Sequence, residues 1–103
     1  IPPGKKSSHL HSHSKKEEFF YVLEGRCKVR LGAEEHDLRP GDAVSRPAGT
    51  GVGHQFHNPY DVPCRVLMLG VQGGRGVEDE VEWPELKRAL IIDAEGGRKV
   101  VRR

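Results

Sequence analysis

Along most of this chain apolar residues recur at every second position or in short blocks, and glycine, proline, asparagine or aspartate interrupts them at close intervals. That pattern suits short β-strands. A strand turns successive side chains to opposite faces, whereas a helix would need apolar residues three and four apart. Thirteen glycines and seven prolines in 103 residues supply the turns, and a hydrophobic content of 35% supplies a core. A chain of this length buries roughly two-thirds of its unfolded surface, enough for one core and one domain spanning 1–103.

Read segment by segment, "EFFYVL" predicts a strand buried on both faces and ended by a tight turn at Gly25. "CKVRL" alternates Cys27, Val29 and Leu31 inward against Lys28 and Arg30 outward, and the two are expected to form a hairpin. "EHDL", "AVSR", "HQFHN" and "CRVLMLGV" predict four more strands. In "RPGD", Pro40 presets φ and Gly41 accepts the positive φ of a type II turn. From Gly73 the chain becomes polar, with "ALIID" and "KVV" as its remaining strand signals. "WPELKRAL" offers one helical turn starting at Pro84, while Trp83, preceding a proline, is held extended. The expectation is therefore a core over about 7–72, with 73–103 packing on it or at a dimer contact.

Composition narrows the function classes. Seventeen basic residues against 15 acidic ones give a net charge of only +2, and the two signs are interleaved, so nucleic acid is not indicated as a partner. The pairs Lys5-Lys6 and Lys15-Lys16 and the end "GRKVVRR" are read as solvated termini and loops. No apolar run approaches the ~18 residues of a membrane span, and no secretory signal opens the chain, which begins at Ile1. A cytoplasmic protein without membrane contact is expected. Cys27 and Cys64 sit among alternating apolar residues and are read as reduced core thiols.

The chemistry-bearing stretch is "HLHSHSKKEE", with His9, His11 and His13 on alternate positions. On a strand, residues i and i+2 share a face about 7 Å apart. His11 and His13 can therefore aim two imidazoles at one metal ion, each roughly 2.0 to 2.2 Å from it. Glu18 follows just ahead of the apolar strand, and His54 opens another strand after a glycine-rich loop. Three neutral imidazoles and a carboxylate suit a divalent first-row metal and leave one or two positions open for water or substrate. His9 shares the face of His11 and His13, and Glu17 adjoins Glu18. His36 is expected to be exposed. His57, three residues after His54, turns to the opposite face and is read as a surface or interface residue. Phe20, Val22 and Phe56 are candidates for lining the interior, with Phe19, Tyr21 and Leu23 on the other face of their strand.

At this point the chain resembles the cupins. "HSHSKKEEFFYVLEG" is similar to the first cupin motif, through His11, His13, Glu18 and Gly25. "GDAVSRPAGTGVGHQFHN" is similar to the second, through Gly41, Pro47, Gly49, His54 and Asn58. The motif's own separations select His11 with His13 over His9, and Glu18 over Glu17. In two places the chain departs from the pattern: four residues separate Gly49 from His54 where the motif has two, and Gly4 stands one position too early to be the leading glycine.

The resemblance implies an all-β fold, a cupin-type antiparallel β-barrel of jelly-roll design with little helix. It implies one divalent transition metal (Fe, Mn, Ni or Zn) inside, held by His11, His13, Glu18 and His54, and a homodimer. Because the same barrel hosts oxygenases, isomerases and non-catalytic binding proteins, two functions remain open. One is a mononuclear metal-dependent enzyme, dioxygenase or isomerase-like, acting on a small molecule. The other is a module that binds or senses a small molecule without turning it over. No catalytic acid or base is assigned.

Overall fold

The structure, a computed structural model, describes residues 1–71 and 78–103. Its regular elements are ten β-strands and one 3₁₀ turn at Pro84–Leu86, with no α-helix among the described residues. In chain order the strands are β1 (Ser12–His13), β2 (Glu18–Glu24), β3 (Cys27–Leu31), β4 (Glu34–Leu38), β5 (Ala43–Arg46), β6 (His54–His57), β7 (Arg65–Gly70), β8 (Asp79–Trp83), β9 (Arg88–Ile92) and β10 (Arg98–Arg102). They form three antiparallel sheets, ordered β5-β2-β7, β4-β3-β6 and β1-β8-β9-β10. These sheets do not close into one continuous hydrogen-bonded barrel among the described residues.

The two three-stranded sheets share one apolar core. β2 contributes Phe20 and Val22, β3 contributes Cys27 and Val29, and Leu38, Phe56 and Cys64 complete it. Period-two alternation explains the selection, since Glu18, Phe20 and Val22 fall on one face of β2. The opposite face is not buried. Phe19, Tyr21 and Leu23 are 38 to 43% exposed, so "EFFYVL" is a one-sided strand rather than the doubly buried one expected. Cys27 and Cys64 are both buried and free.

The expected hairpin of β2 with β3 does not form. β2 pairs with β5 and β7, and β3 pairs with β4 and β6. Gly25 makes the difference: at φ 74° it turns the chain out of one sheet and into the other, and any Cβ there would collide with the Pro63 carbonyl oxygen and lie 2.9 Å from Cys64 Cα. The turn at Arg39–Asp42 has Gly41 at φ 93° and closes through Asp42 N–H donating to the Arg39 carbonyl at 3.0 Å. The helical turn expected at Pro84 is the 3₁₀ turn, and "ALIID" and "KVV" fall in β9 and β10.

β8 is a strand that the polar run "VEDEVEWPE" concealed. Val81 alone is buried in it, and β8 pairs with β1 through Ser12↔Glu82 and His13↔Val81. The C-terminal strands are thereby attached to the histidine segment itself. The expected boundary between 72 and 73 lies outside the described residues. Among the described residues no helix is long and apolar enough to cross a membrane.

Candidate metal centre

Three separate elements bring the ionisable side chains together. His11 and His54 are antiparallel bridge partners. His54 N–H donates to the His11 carbonyl at 2.8 Å and His11 N–H to the His54 carbonyl at 3.2 Å, and the ring centroids stand 4.6 Å apart. Glu18 opens β2, His54 opens β6, and both are buried. One ligand atom each from His11, Glu18 and His54 lies within 4.8 Å of the others, a group that could hold a metal ion. His13 borders it, with Nε2 3.2 Å from Glu18 Oε1 and its ring centroid 5.1 Å from that of His11 and 6.5 Å from that of His54.

The hydrogen bonds around the histidines decide which nitrogen faces the group. A carbonyl can only accept, so the 2.8 Å contact of His11 Nδ1 with the His9 carbonyl places a proton on Nδ1 and leaves Nε2 as the free donor atom. His13 Nδ1 likewise faces Asp79 Oδ2 at 2.8 Å. The His9 ring itself is exposed, so only its backbone joins the site. Glu17 and His36 are exposed, and His57 lies outside the group with Nε2 3.5 Å from Glu35 Oε2.

Charges in this corner are strongly coupled. His13, then His54, hold the Glu18 carboxyl well below the usual carboxylate range despite its burial. The Glu18 contact raises the His13 imidazole against the effect of burial, and Asp79 raises it further. Burial lowers His11, with His54 and His13 adding repulsion, which favours its neutral, ligating form. Burial pushes Asp79 up, but hydrogen bonds from His13, the Lys15 N–H and the Ser14 hydroxyl outweigh it, and its carboxyl is lowered.

Two atoms test whether a cation fits. Among the described residues, the buried side-chain atoms without a hydrogen-bond partner are Glu18 Oε1 and His54 Nε2. They lie 3.3 Å apart, close enough to attract but not aligned to bond. An unsatisfied buried polar atom costs about 1 to 3 kcal/mol, and a cation between these two would satisfy both.

Beside the group opens a cavity of about 360 Å³, walled by Phe20, Phe56, Val66 and Met68 and edged by Lys16 and Ser8. Phe20 and Phe56 line it as expected, while Val22 belongs to the closed core. Lys16 is a correction. It is no solvated loop lysine: its side chain is 22% exposed, with Nζ 4.0 Å from Glu18 Oε2. It folds inward across Gly70, where a Cβ would sit 2.8 Å from Lys16 Cε. Neither Lys16 nor Asp79 carried a signal in the sequence. One lies in a lysine pair typical of a loop, and the other in an acidic run 66 residues from the histidine it meets.

Residues 1–70 match the family model described as Cupin domain, so the chain belongs to the cupin family. It is similar over its whole length to a crystal structure from Silicibacter pomeroyi described as a sugar phosphate isomerase from a cupin superfamily, at 32% identity and a TM-score of 0.89, covering 63% of that chain. A structure from Acidithiobacillus ferrooxidans, given the same activity provisionally, matches 99% of this chain and 62% of its own at 28% identity and a TM-score of 0.89. An uncharacterized protein of Methanocaldococcus jannaschii is 36% identical over 67 residues, 65% of this chain and 51% of that protein. The chain thus spans less than two-thirds of each of these three proteins.

Proposed function

We propose that this cupin domain binds one divalent first-row metal through His11, Glu18 and His54, with His13 as the fourth ligand, and isomerises a small phosphorylated sugar in the adjoining cavity. The observation that carries the metal site is the pair of buried, unpartnered atoms Glu18 Oε1 and His54 Nε2. When bound, the metal would act as a Lewis acid that polarises neighbouring carbonyl and hydroxyl oxygens, so that a carbon-bound proton between them is lost more readily. The His11 and His13 rings are pre-oriented by the His9 carbonyl and by Asp79. Phe20, Phe56, Val66 and Met68 give the cavity an apolar wall, and Lys16 offers a cation to an anionic group. The cavity volume falls within the usual range for small-molecule sites. A phosphorylated sugar as substrate is supported by the activity named for the two structures that match nearly all of this chain.

A second reading, a module that binds without turnover, is favoured by one observation. Apart from the histidine–glutamate group and Lys16, the described cavity-lining side chains carry no ionisable group to move a proton.

The deciding experiment is to strip the protein, reload it separately with Fe(II), Mn(II), Ni(II) and Zn(II), and measure stoichiometry. A panel of aldose and ketose phosphates is then assayed by NMR. One ion per chain with interconversion supports the enzyme, one ion with binding alone supports the module, and no ion with any metal overturns both.

We also propose a homodimer through the outer face of β5-β2-β7. Phe19 and Tyr21 stand opposite Leu69 and Leu67 in register, and all four are exposed. Light scattering after chromatography should give twice the chain mass, and Leu67→Lys should return it to a single chain's mass.

A further inference from the structure

Family resemblance places the metal ligands within residues 1–70, yet among the described residues the shortest hydrogen bond from another side chain to any of those four comes from outside that span. Asp79 opens β8, and its carboxylate is gripped from three sides. Oδ2 meets His13 Nδ1 at 2.8 Å, while Oδ1 accepts from the Lys15 backbone N–H at 2.8 Å and from the Ser14 hydroxyl at 3.2 Å. The strand carrying it is locked to the histidine segment. Ser14 N–H donates to the Glu80 carbonyl at 2.9 Å, and Glu80 N–H donates back to the Ser14 hydroxyl at 2.7 Å. The Asp79 side chain is only 13% exposed, so solvent does little to weaken the contact.

A carboxylate can only accept, so its hydrogen on the ring side must come from His13 Nδ1. The other nitrogen, Nε2, is then turned toward Glu18 Oε1, 3.2 Å away. Removing Asp79 frees the ring to rotate about its side-chain bonds and to exchange its proton between the two nitrogens. A proton on Nε2 would abolish its capacity to ligate.

We propose that Asp79 is the positioning residue of the metal centre. It holds His13 in the tautomer and orientation that present Nε2 to the ion, so the C-terminal sheet is part of the site. The metal half of this inference rests on the metal-binding proposal above. The hold on the ring does not.

Two measurements test it. In metal-free protein labelled with ¹⁵N-histidine, at a pH that keeps the ring neutral, His13 should show a protonated Nδ1 and a bare Nε2, and Asp79→Ala should shift it toward the opposite tautomer. Cobalt(II) affinity, read by competition with a chromophoric chelator, should fall about 10- to 100-fold in Asp79→Ala. In a His13→Ala background the same change should cost less than about twofold, since the residue it acts through is gone. Asp79→Asn, which keeps size and shape, serves if the alanine variant does not fold. An unchanged tautomer, or an equal loss of affinity in both backgrounds, overturns the role of Asp79. Failure of the unsubstituted protein to bind any metal overturns the metal-binding proposal instead, and the ring-nitrogen signals still decide whether Asp79 sets the ring.

Discussion

The two ends of β6 hold buried polar side chains that differ in one respect. Asn58, one residue past the end of the strand, is 1% exposed and fully engaged. Its Nδ2 donates to the Ile1 and Val62 carbonyls at 3.0 and 2.7 Å, and its Oδ1 accepts from Tyr60 N–H at 2.9 Å. His54, which opens the strand, is 4% exposed, and its Nε2 has no hydrogen-bond partner among the described residues. A buried polar group whose bonds are all made pins the fold. One left unmade is a standing cost that folding alone does not recover, and His54 belongs to the group that could hold a metal ion.

The largest expected effect breaks the comparison at its unsatisfied end. His54→Ala should weaken metal binding by more than about 100-fold, yet lower metal-free thermal stability only slightly, because deleting the orphaned Nε2 offsets the lost hold on Glu18 and packing on Phe20. His57→Ala, outside the group, should leave affinity as it is. Isothermal titration with zinc and a thermal melt of the stripped protein check both halves, and equal losses for the two variants would show that the strand faces are misassigned.

Next comes the satisfied end. Asn58→Ala strands the Val62 carbonyl and the Tyr60 N–H, leaving the Ile1 carbonyl its bond from the Cys64 N–H, and should cost about 2 to 4 kcal/mol in chemical denaturation while metal stoichiometry stays the same. A drop in stoichiometry would mean that the two ends of the strand are not separable.

The smallest effect sharpens the contrast between the site and the closed core. Burial, with the Cys64 thiol beside it, pushes the Cys27 thiol up from its ordinary 9.0 to about 12. A thiol whose pKa rises on folding holds its proton more tightly in the folded state. Its contribution to stability is therefore complete below pH 9 and is lost as pH climbs toward 12. Denaturation midpoints should fall slightly from pH 9 to 11, less so in Cys27→Ala. Native Cys27 should also resist iodoacetamide at pH 8. Rapid alkylation of the native protein would place that thiol outside a sealed core.

Much of this was legible in the chain. The turn at Gly41, the strands "CKVRL" and "AVSR", and the 3₁₀ turn after Trp83 all follow from residues adjacent in sequence. The choice of Glu18 over Glu17 rested on the separation in the first cupin motif, and the structure buries Glu18 and exposes Glu17. What failed was pairing. Gly25 suggested a hairpin, and nothing local reveals that Pro63 and Cys64 press against it and force the chain into a second sheet. β8 failed for a related reason: with Val81 as its one buried residue, it presents almost no hydrophobic pattern.

The residues alone determined the strand character of the chain and its all-β class, because periodicity acts over a few positions; the four candidate ligands came from the resemblance to two cupin motifs, and the structure groups His11, Glu18 and His54 with His13 at their border. Tertiary structure decided which strands meet, that Lys16 turns inward over Gly70, and that Asp79 grips His13 across 66 residues of sequence. The physical reason is range. Turn and strand preferences are set by neighbouring atoms, whereas register between distant strands depends on packing and hydrogen bonds that exist only once the chain has closed on itself.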